Sequence, residues 1–503
     1  NLAATIRIGS LSLELQELRS NVVGAQLGEA AISTSLKAGA IGLALVCIFM
    51  MVVYLLPGVV AAISLLLYTV LTLVTLNAFD ITLTLPGIAG IILGIGMAVD
   101  ANVIIYARIR EEIAAGKSVK SAIDIGFKKA LSAILDGNIT TLIAAIVLGI
   151  MGTGSVKGFA YTLAMSIILS MFSALVISRY LAKAFYALGF QDVKYYGCPK
   201  KHNTIDFLKH KKVFFAIAIV CMISGPVAML IHSQGSGKAL NYSLEFMGGT
   251  STNVTFNEDY SIEEIDEKVK PVVQEVTGDA NIQATKVSGS NQVIIKTREL
   301  SLDERTELSQ KLNEKFGVDE STITAESISS TVSNEMRQDA IVAVIIAAIC
   351  MLIYIWLRFK DIRFGASAVL ALLHDVLIVL AFYAIARISV GNTFIACMLT
   401  IIGYSINASI VIFDRIRENL GNSKKHSDEA LKEIVNRSIT QTLTRSIYTS
   451  LTTFITIAAL FILGVPSIRE FAAPLIVGIV AGAFSSVCIS GPLWYILKTK
   501  FKS

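Results

Sequence analysis

Five ionisable side chains lie inside long apolar stretches of this 503-residue sequence: Asp100, Asp136, the neighbours His374 and Asp375, and Arg445. A charge at the centre of a bilayer costs roughly 2.5–3.5 kcal/mol on insertion scales, so such residues mark function by default. A carboxylate beside an arginine can be ionised and paired, or protonated with the arginine released to another partner. Two states that differ by one proton are what an ion-coupled transporter needs.

Structural roles for the same side chains stay open. Asp100 and Arg445 could form a static ion pair that only fixes helix packing. The His–Asp pair could relay protons near the cytoplasmic half of a helix, or could be a structural hydrogen bond. Asp414 and Glu418, at the end of an apolar stretch beside two arginines, are interpreted as a solvated helix terminus.

The composition predicts that these residues lie in a polytopic α-helical membrane protein. Hydrophobic residues make up 54% and charged residues 16% of the chain, against roughly 25% charged residues in soluble proteins. This composition excludes a soluble enzyme, a disordered chain and a secreted disulfide scaffold. Apolar runs reach the roughly 20 residues that cross a bilayer as a helix. We predict eleven spans, at about 38–56, 58–78, 85–107, 131–152, 158–187, 212–233, 340–358, 364–387, 391–414, 443–464 and 470–497.

The charge distribution predicts the orientation of these spans. Residues 234–335 carry a net charge of −9 and the remainder +14, which does not suit a protein that binds nucleic acid. With the acidic stretch outside, the inner loops hold 26 basic residues and the short outer loops about three. The C-terminus is then cytoplasmic and residue 1 is outside. We therefore expect that a signal or a further span precedes Asn1.

Two groups of five spans repeat each other. V-D-A-N-V-I-I-Y-A-R-I-R-E-E from Val99 matches I-N-A-S-I-V-I-F-D-R-I-R-E-N from Ile406, and the T-T-rich segment from Thr140 matches that from Thr452. Both copies start outside and end inside, so the predicted repeat is parallel, about an axis along the membrane normal. The functional site should lie between the two bundles. The three isolated charges Asp100, Asp136 and Arg445 are predicted to face one seam between them.

The acidic stretch predicts a small α/β domain with the order strand–helix–strand–strand–helix–strand, which is a ferredoxin-like order. Its two helices start at the capping boxes of Ser261 and Ser301. It contains no cysteine, and the six cysteines of the chain show no C-x-x-C metal signature.

Four motifs, in order, resemble the SecD and SecF proteins of the RND superfamily, fused in one chain. G-I-G-M-A-V-D-A-N-V-I-I-Y-A-R-I-R-E-E is similar to the SecD signature span, and L-E-F-M-G-G-T (244–250) to the start of the SecF extracytoplasmic domain. Y-S-I-N-A-S-I-V-I-F-D-R-I-R-E-N is similar to the SecF signature, and T-L-T-R-S-I-Y-T-S-L-T-T (442–453) to the SecF span that carries an arginine. V-V-G-A-Q-L-G-E (22–29) resembles the end of the first extracytoplasmic domain of SecD. The first span and most of that domain are then expected to be absent.

This resemblance implies a proton- or sodium-driven device in the bacterial cell membrane, not an enzyme, with no further cofactor. It would draw preproteins outward after SecA and SecYEG have threaded them, with YidC and YajC as further partners and lipid around it. Asp100 matches the SecD carboxylate and Arg445 the SecF arginine.

One departure from the family pattern concerns the second carboxylate. Many SecF proteins read N-D-T where this sequence has Asn407, Ala408 and Ser409. A relay of two carboxylates is therefore in doubt, and Asp100 is the main candidate for binding the ion. Asn102, Asn407 and Ser409 are polar neighbours that could coordinate a cation or position water.

The resemblance also divides the chain into segments. We expect a remnant of the first SecD domain (1–37), a SecD-like five-helix repeat (38–187), a cytoplasmic linker (188–211) and the first SecF-like span (212–233). The SecF-like extracytoplasmic domain (234–335), a SecF-like five-helix repeat (340–497) and a cytoplasmic tail (498–503) follow.

Three alternatives share some of these features. An RND-type exporter of lipids or small molecules usually has two large porter domains, whereas this chain has one domain of about 100 residues. An intramembrane aspartyl protease needs two facing aspartates, and Asp136 is the only neighbour of Asp100. A non-transporting scaffold is favoured slightly by Ala408.

Overall fold

A computed structural model describes residues 19–21, 25–81, 83–197, 203–236, 239–279, 282–287, 290–359, 361–421 and 427–500. It divides into two compact units. One is formed by Tyr242–Gln338 with the N-terminal strand, and the other by Glu29–Asn241 with Asp339–Ser503. Most of the predicted remnant 1–37, part of the linker 188–211 and the end of the tail 498–503 lie outside the described residues.

The first half of the helical unit begins with two apolar helices that only Leu55 separates. Helix α1 ends at Tyr54, and Pro57 lies in the first turn of the next helix, where its missing N–H costs nothing. A Cβ on Gly58 would lie 2.0 Å from the carbonyl oxygen of Met50, so only glycine permits this turn. The helices are α1 (Ala25–Tyr54), α2 (Leu56–Ala78), α3 (Leu85–Ala114), α4 (Val119–Met151), α5 (Ser155–Phe172), α6 (Ser178–Ala187) and α7 (Lys211–Ser236).

The smaller unit is an antiparallel sheet with helices, and the predicted order of its strands and helices is observed. The strands lie in the order β1-β5-β2-β4-β3, and β1 (Arg19–Asn21) joins the edge by pairing with β5, which the sequence did not predict. Val254, Val293, Ile295, Leu308 and Leu312 form its core. The remaining elements are α8 (Leu244–Met247), β2 (Gly249–Thr255), α9 (Ile262–Glu264), α10 (Lys270–Thr277), β3 (Gln283–Lys286), β4 (Gln292–Thr297), α11 (Leu302–Phe316) and β5 (Thr324–Ile328).

The second half of the helical unit supplies the other spans. Its helices are α12 (Ser330–Phe359), α13 (Ile362–Ala386), α14 (Asn392–Leu420), α15 (Asp428–Leu463), α16 (Pro466–Ser485) and α17 (Gly491–Lys500). Eleven helical segments within the described residues are long and apolar enough to cross a membrane, so the predicted number of spans is confirmed. In the apolar windows of α3 and α14, 89% of the residues are buried, which makes these two helices the centre of the unit.

The helices that the sequence repeat makes equivalent pack crosswise, α3 against α15 and α14 against α4. A Cβ on Gly96 would lie 3.0 Å from the Cα of Thr453, and one on Gly403 would lie 2.9 Å from the Cα of Thr141. The two glycines and the two threonines are paired in the repeat. Crosswise contacts of this kind arise when two repeats are related by a two-fold axis. The repeat extends to the backbone, because a π-turn follows α5 (Ser173–Ile177) and α16 (Ser486–Ser490) alike.

Helix α11 begins with a complete capping box. Ser301 accepts a hydrogen bond from the backbone N–H of Glu304, and the Glu304 carboxylate accepts one from the N–H of Ser301. Hydrogen bonds from Arg298 hold the pKa of Glu304 below its usual value. The contribution of this carboxylate is therefore complete above the pH at which an unfolded glutamate titrates, and is lost as the pH falls through the lowered pKa.

We predict that Ser301→Ala lowers the local opening free energy of the first turn of α11 by about 1 kcal/mol at pH 7. Amide hydrogen exchange of the full-length chain would measure this loss. Ser309→Ala is the matched control, because its hydroxyl donates only to the carbonyl of Arg305 within the helix. Unchanged protection in Ser301→Ala would show that the cap does not stabilise the helix.

Candidate functional site

A small cavity lies between α3, α14 and α15, the central helices of the two halves. The centre of a water molecule can occupy about 10 Å³ of this cavity, so the cavity has room for about one water. One carboxylate and one guanidinium face it. The lining residues are Asp100, Tyr404, Asn407, Ala408, Val411, Arg445, Ser446 and Thr449.

The Asp100 carboxylate is held from the opposite half of the repeat. The side-chain amide of Asn407 donates a hydrogen bond of 2.8 Å to its Oδ2 atom. In the alignment of the two signature spans, Asn407 occupies the position of Asp100 itself. The two equivalent residues therefore meet across the seam, one as an acceptor and the other as a donor.

Arg445 shares this cavity but forms no ion pair with Asp100 among the described residues. Its side chain is 8% exposed, and its Nε and Nη2 atoms are buried without a hydrogen-bond acceptor in the described part of the chain. The predicted proximity of Asp100 and Arg445 is therefore observed, but the two residues do not form an ion pair in this conformation.

Asp136 also contacts the opposite half of the repeat, but it does not line the cavity that Asp100 and Arg445 share. Its carboxylate accepts hydrogen bonds from Arg358 (2.5 Å), Tyr354 (2.8 Å) and Ser132 (3.3 Å). The reason is the rotation of about 100° between successive helical residues. The neighbouring residue Gly137 faces Asn407, because its missing Cβ would lie 1.9 Å from the Asn407 Oδ1 atom, so Asp136 points elsewhere, to α12.

The buried pair of His374 and Asp375 forms a second polar site within the second half. Asp375 is fully buried and accepts hydrogen bonds from His374 Nδ1 (2.8 Å), Ser485 Oγ (2.7 Å) and Ser405 Oγ. The His374 Nε2 atom is buried and has no partner within the described residues. Ser405 precedes Asn407 by two positions on α14, so one helix contacts both buried carboxylates.

The other predicted polar neighbours are buried but do not line the cavity. Asn102 and Ser409 are each 2% exposed, and they occupy equivalent positions in the repeat. The Asn102 amide donates to the carbonyl of Ala98 at 3.4 Å, and its Oδ1 atom has no partner among the described residues.

Four charged residues that were not predicted as functional meet at the carboxyl-terminal ends of α3 and α14. Arg108, Glu111, Arg415 and Glu418 form a closed set of ion pairs, hereafter the four-charge ring. Glu418 is therefore more than a solvated helix terminus, and so is Asp414, which pairs with its neighbour Arg417 and with Arg358 of α12. The repeated R-I-R-E motif was the available signal, because it supplies an arginine and a glutamate at the same positions of both halves.

The oxygen atoms around Asp100 are suited to a proton or to a small hard cation. Besides the carboxylate, the cavity is lined by three hydroxyl-bearing side chains, Tyr404, Ser446 and Thr449. No set of three or more His, Cys, Asp or Glu residues that could hold a metal ion occurs within the described ranges.

We predict that Gly137→Ala destabilises the helical unit by about 1–3 kcal/mol, because the added methyl group overlaps Asn407. Thermal unfolding of the detergent-solubilised protein would measure it. Gly149→Ala on the same helix is the control, since its nearest neighbour would be at 3.4 Å. Adding Asn407→Ala should cost less in the Gly137→Ala background than alone, and strict additivity of the two changes would contradict the contact.

Comparison with known proteins identifies the family. The family described as "Protein export membrane protein SecD/SecF, C-terminal" matches residues 7–187 and 308–500. The protein translocase subunit SecDF of Bacillus subtilis (strain 168) is 36% identical over 520 residues, which cover 99% of this chain and 68% of that protein. The chain spans about two thirds of the length of its SecDF relatives, at 68%, 64% and 66%.

Solved structures agree with this assignment. The crystal structure of SecDF from Thermus thermophilus, a translocon-associated membrane protein, superimposes with a TM-score of 0.87 at 33% identity, over 99% of this chain and 67% of that chain. A heavy metal efflux pump, with a TM-score of 0.60 at 10% identity over 94% of this chain and 69% of that chain, shares the RND-like fold alone. The chain therefore belongs to the SecD/SecF family of protein export membrane proteins, and it is similar over nearly all of its length to the fused SecDF form.

Proposed function

We propose that this chain is an ion-gradient-driven auxiliary subunit of the Sec translocase, a transporter component and not an enzyme, which promotes the outward movement and release of preproteins. Its family and its translocase relatives support the role in protein export. One observation carries the ion-coupled mechanism. Asp100 and Arg445 face the same small cavity between the two halves, and yet no ion pair joins them in the part of the chain that the structure describes.

The proposed switch is the ionisation of Asp100. When the carboxylate is charged, the Asn407 amide and the positive charge of Arg445 both stabilise it from the second half. When an ion neutralises it, the attraction to Arg445 is lost and the arginine is free to bind another acceptor. Because donor and acceptor belong to different halves, each binding and release of the ion changes the free energy of holding the halves together.

The coupling ion is a proton or sodium, and no other cofactor is proposed. Ala408 supplies no second carboxylate, so one carboxylate binds the ion. Asn102 and Ser409 lie close in sequence to Asp100 and Asn407. We propose that they help to position these two side chains, or a water beside them. This single-carboxylate arrangement is the consequence of the Asn-Ala-Ser sequence at positions 407–409.

The other two buried acids receive different roles. His374 and Asp375 are proposed to relay protons, because the Nε2 atom of a fully buried imidazole is left without a partner in the described residues. Asp136 is assigned a structural part in the same unit, because Arg358 and Tyr354 of α12 bind it directly. A part in ion coupling would reach Asp136 through its neighbour Gly137, which faces Asn407.

We place the protein in the bacterial cell membrane as a multi-pass protein with a cytoplasmic C-terminus, on the basis of the basic inner loops. Two parallel five-helix repeats would flank the linking span 212–233, with the ferredoxin-like domain 234–335 outside. The repeats would cover 38–187 and 340–497. The other segments would be the remnant 1–37, the linker 188–211 and the tail 498–503. Proposed partners are SecYEG with SecA, unfolded preproteins, lipid, and YidC and YajC, with no nucleic acid.

We predict that Asp100→Asn abolishes the part of preprotein export that depends on an ion gradient, because an amide cannot release or bind a proton in this range. The measurement is export into membrane vesicles containing SecYEG and SecA, with and without an imposed gradient. Asp80→Asn is the matched control: it makes the same change at an exposed carboxylate, in a left-handed backbone conformation (φ 48°) that asparagine tolerates well.

Two arms of the same assay address the coupling ion. A proton gradient and a sodium gradient are imposed separately, and the gradient that fails to stimulate export excludes that ion. Gradient-stimulated export by Asp100→Asn at the wild-type rate would overturn the ion-coupled role. Wild-type export that is insensitive to both gradients would favour the non-transporting scaffold instead.

A further inference from the structure

The four-charge ring joins the two central helices at one end and is symmetric in the repeat. Arg108 of α3 corresponds to Arg415 of α14, and Glu111 corresponds to Glu418. Two ion pairs cross between the helices, Arg108–Glu418 at 3.1 Å and Arg415–Glu111 at 2.5 Å. Two others stay within one helix, Arg108–Glu111 at 3.0 Å and Arg415–Glu418 at 3.3 Å.

This geometry lets the cross-helix pairs break at a low cost. The arginine side chains are only 9–10% exposed, whereas the glutamate side chains are 36–42% exposed. Breaking a buried ion pair is costly when it leaves one charge without a partner. Here each arginine keeps the glutamate three residues further along its own helix, so separating α3 from α14 leaves no arginine unpaired.

We propose that the four-charge ring is a latch that closes the seam below the Asp100 cavity. When the latch opens, the two cross-helix pairs break while the pairs within each helix remain, and the cavity opens at this end. Under the topology proposed above, this is the cytoplasmic end. The inference rests on the proposed function for its physiological meaning, but the latch itself is a property of the fold.

Charge swaps separate the cross-helix pairs from the pairs within each helix. Exchanging Arg415→Glu together with Glu418→Arg keeps the pair within α14 and places like charges opposite each other across the seam. Adding Arg108→Glu with Glu111→Arg restores opposite charges at both crossings. The readout is modification of Ala408→Cys, a cavity-lining position, by a charged methanethiosulfonate added from the cytoplasmic side, in a background in which the six native cysteines are replaced by serine or alanine.

We predict that the single-helix swap raises the modification rate roughly tenfold, and that the double swap returns it to within about twofold of the unswapped protein, because attraction replaces repulsion at both crossings. Equal rates in all three proteins, or a rate that stays high in the double swap, would overturn the latch. Because this readout needs neither preprotein nor an ion gradient, its failure is distinguishable from failure of the export assay.

Discussion

A carboxylate that is buried between two helical bundles needs hydrogen-bond donors or positive charges from the opposite bundle to stabilise it. The hydrogen bond from Asn407 to Asp100 meets this need. The central helices α3 and α14 are the most thoroughly buried spans, so bulk water is not available to take over this role. The crosswise packing at Gly96 and Gly403 brings α15 and α4 against them. As a result, the position of the helices and the ionisation of one side chain cannot be set independently.

The sequence repeat has different consequences at the two levels of this seam. At the carboxyl-terminal ends of α3 and α14, both copies keep the arginine and the glutamate, and the result is a neutral ring of four ion pairs. At the level of the cavity the copies differ, with Asp100 opposite Asn407. A symmetric pair of carboxylates would repel, whereas an acid facing an amide binds. Where the two copies are alike, the four charges pair with one another. Where they differ, at Asp100 and Asn407, one ionisable group remains whose charge can change.

Much of this could be predicted from the sequence, because bilayer thickness and repeat motifs are strong constraints. The eleven spans, the α/β element order and the proximity of Asp100 to Arg445 follow from hydropathy, capping and the two motifs. The rotational phase of a helix is harder, since every neighbour of Asp136 is apolar or small and no periodicity shows where its side chain points. Its partner Arg358 lies at the end of a span, where the sequence predicts a basic residue of an inner loop. Likewise, Ser405 and Ser485 contact Asp375 only because three helices meet there.

The central claim is that Asp100 is the group that binds and releases the coupling ion. Infrared difference spectroscopy of the reconstituted full-length chain, titrated with acid in the presence and absence of sodium, would detect the C=O stretch of a protonated buried carboxyl. The account predicts a titrating band that is present in the wild type and in Asp375→Asn, and that is absent from Asp100→Asn. The same band at undiminished intensity in Asp100→Asn would contradict the account.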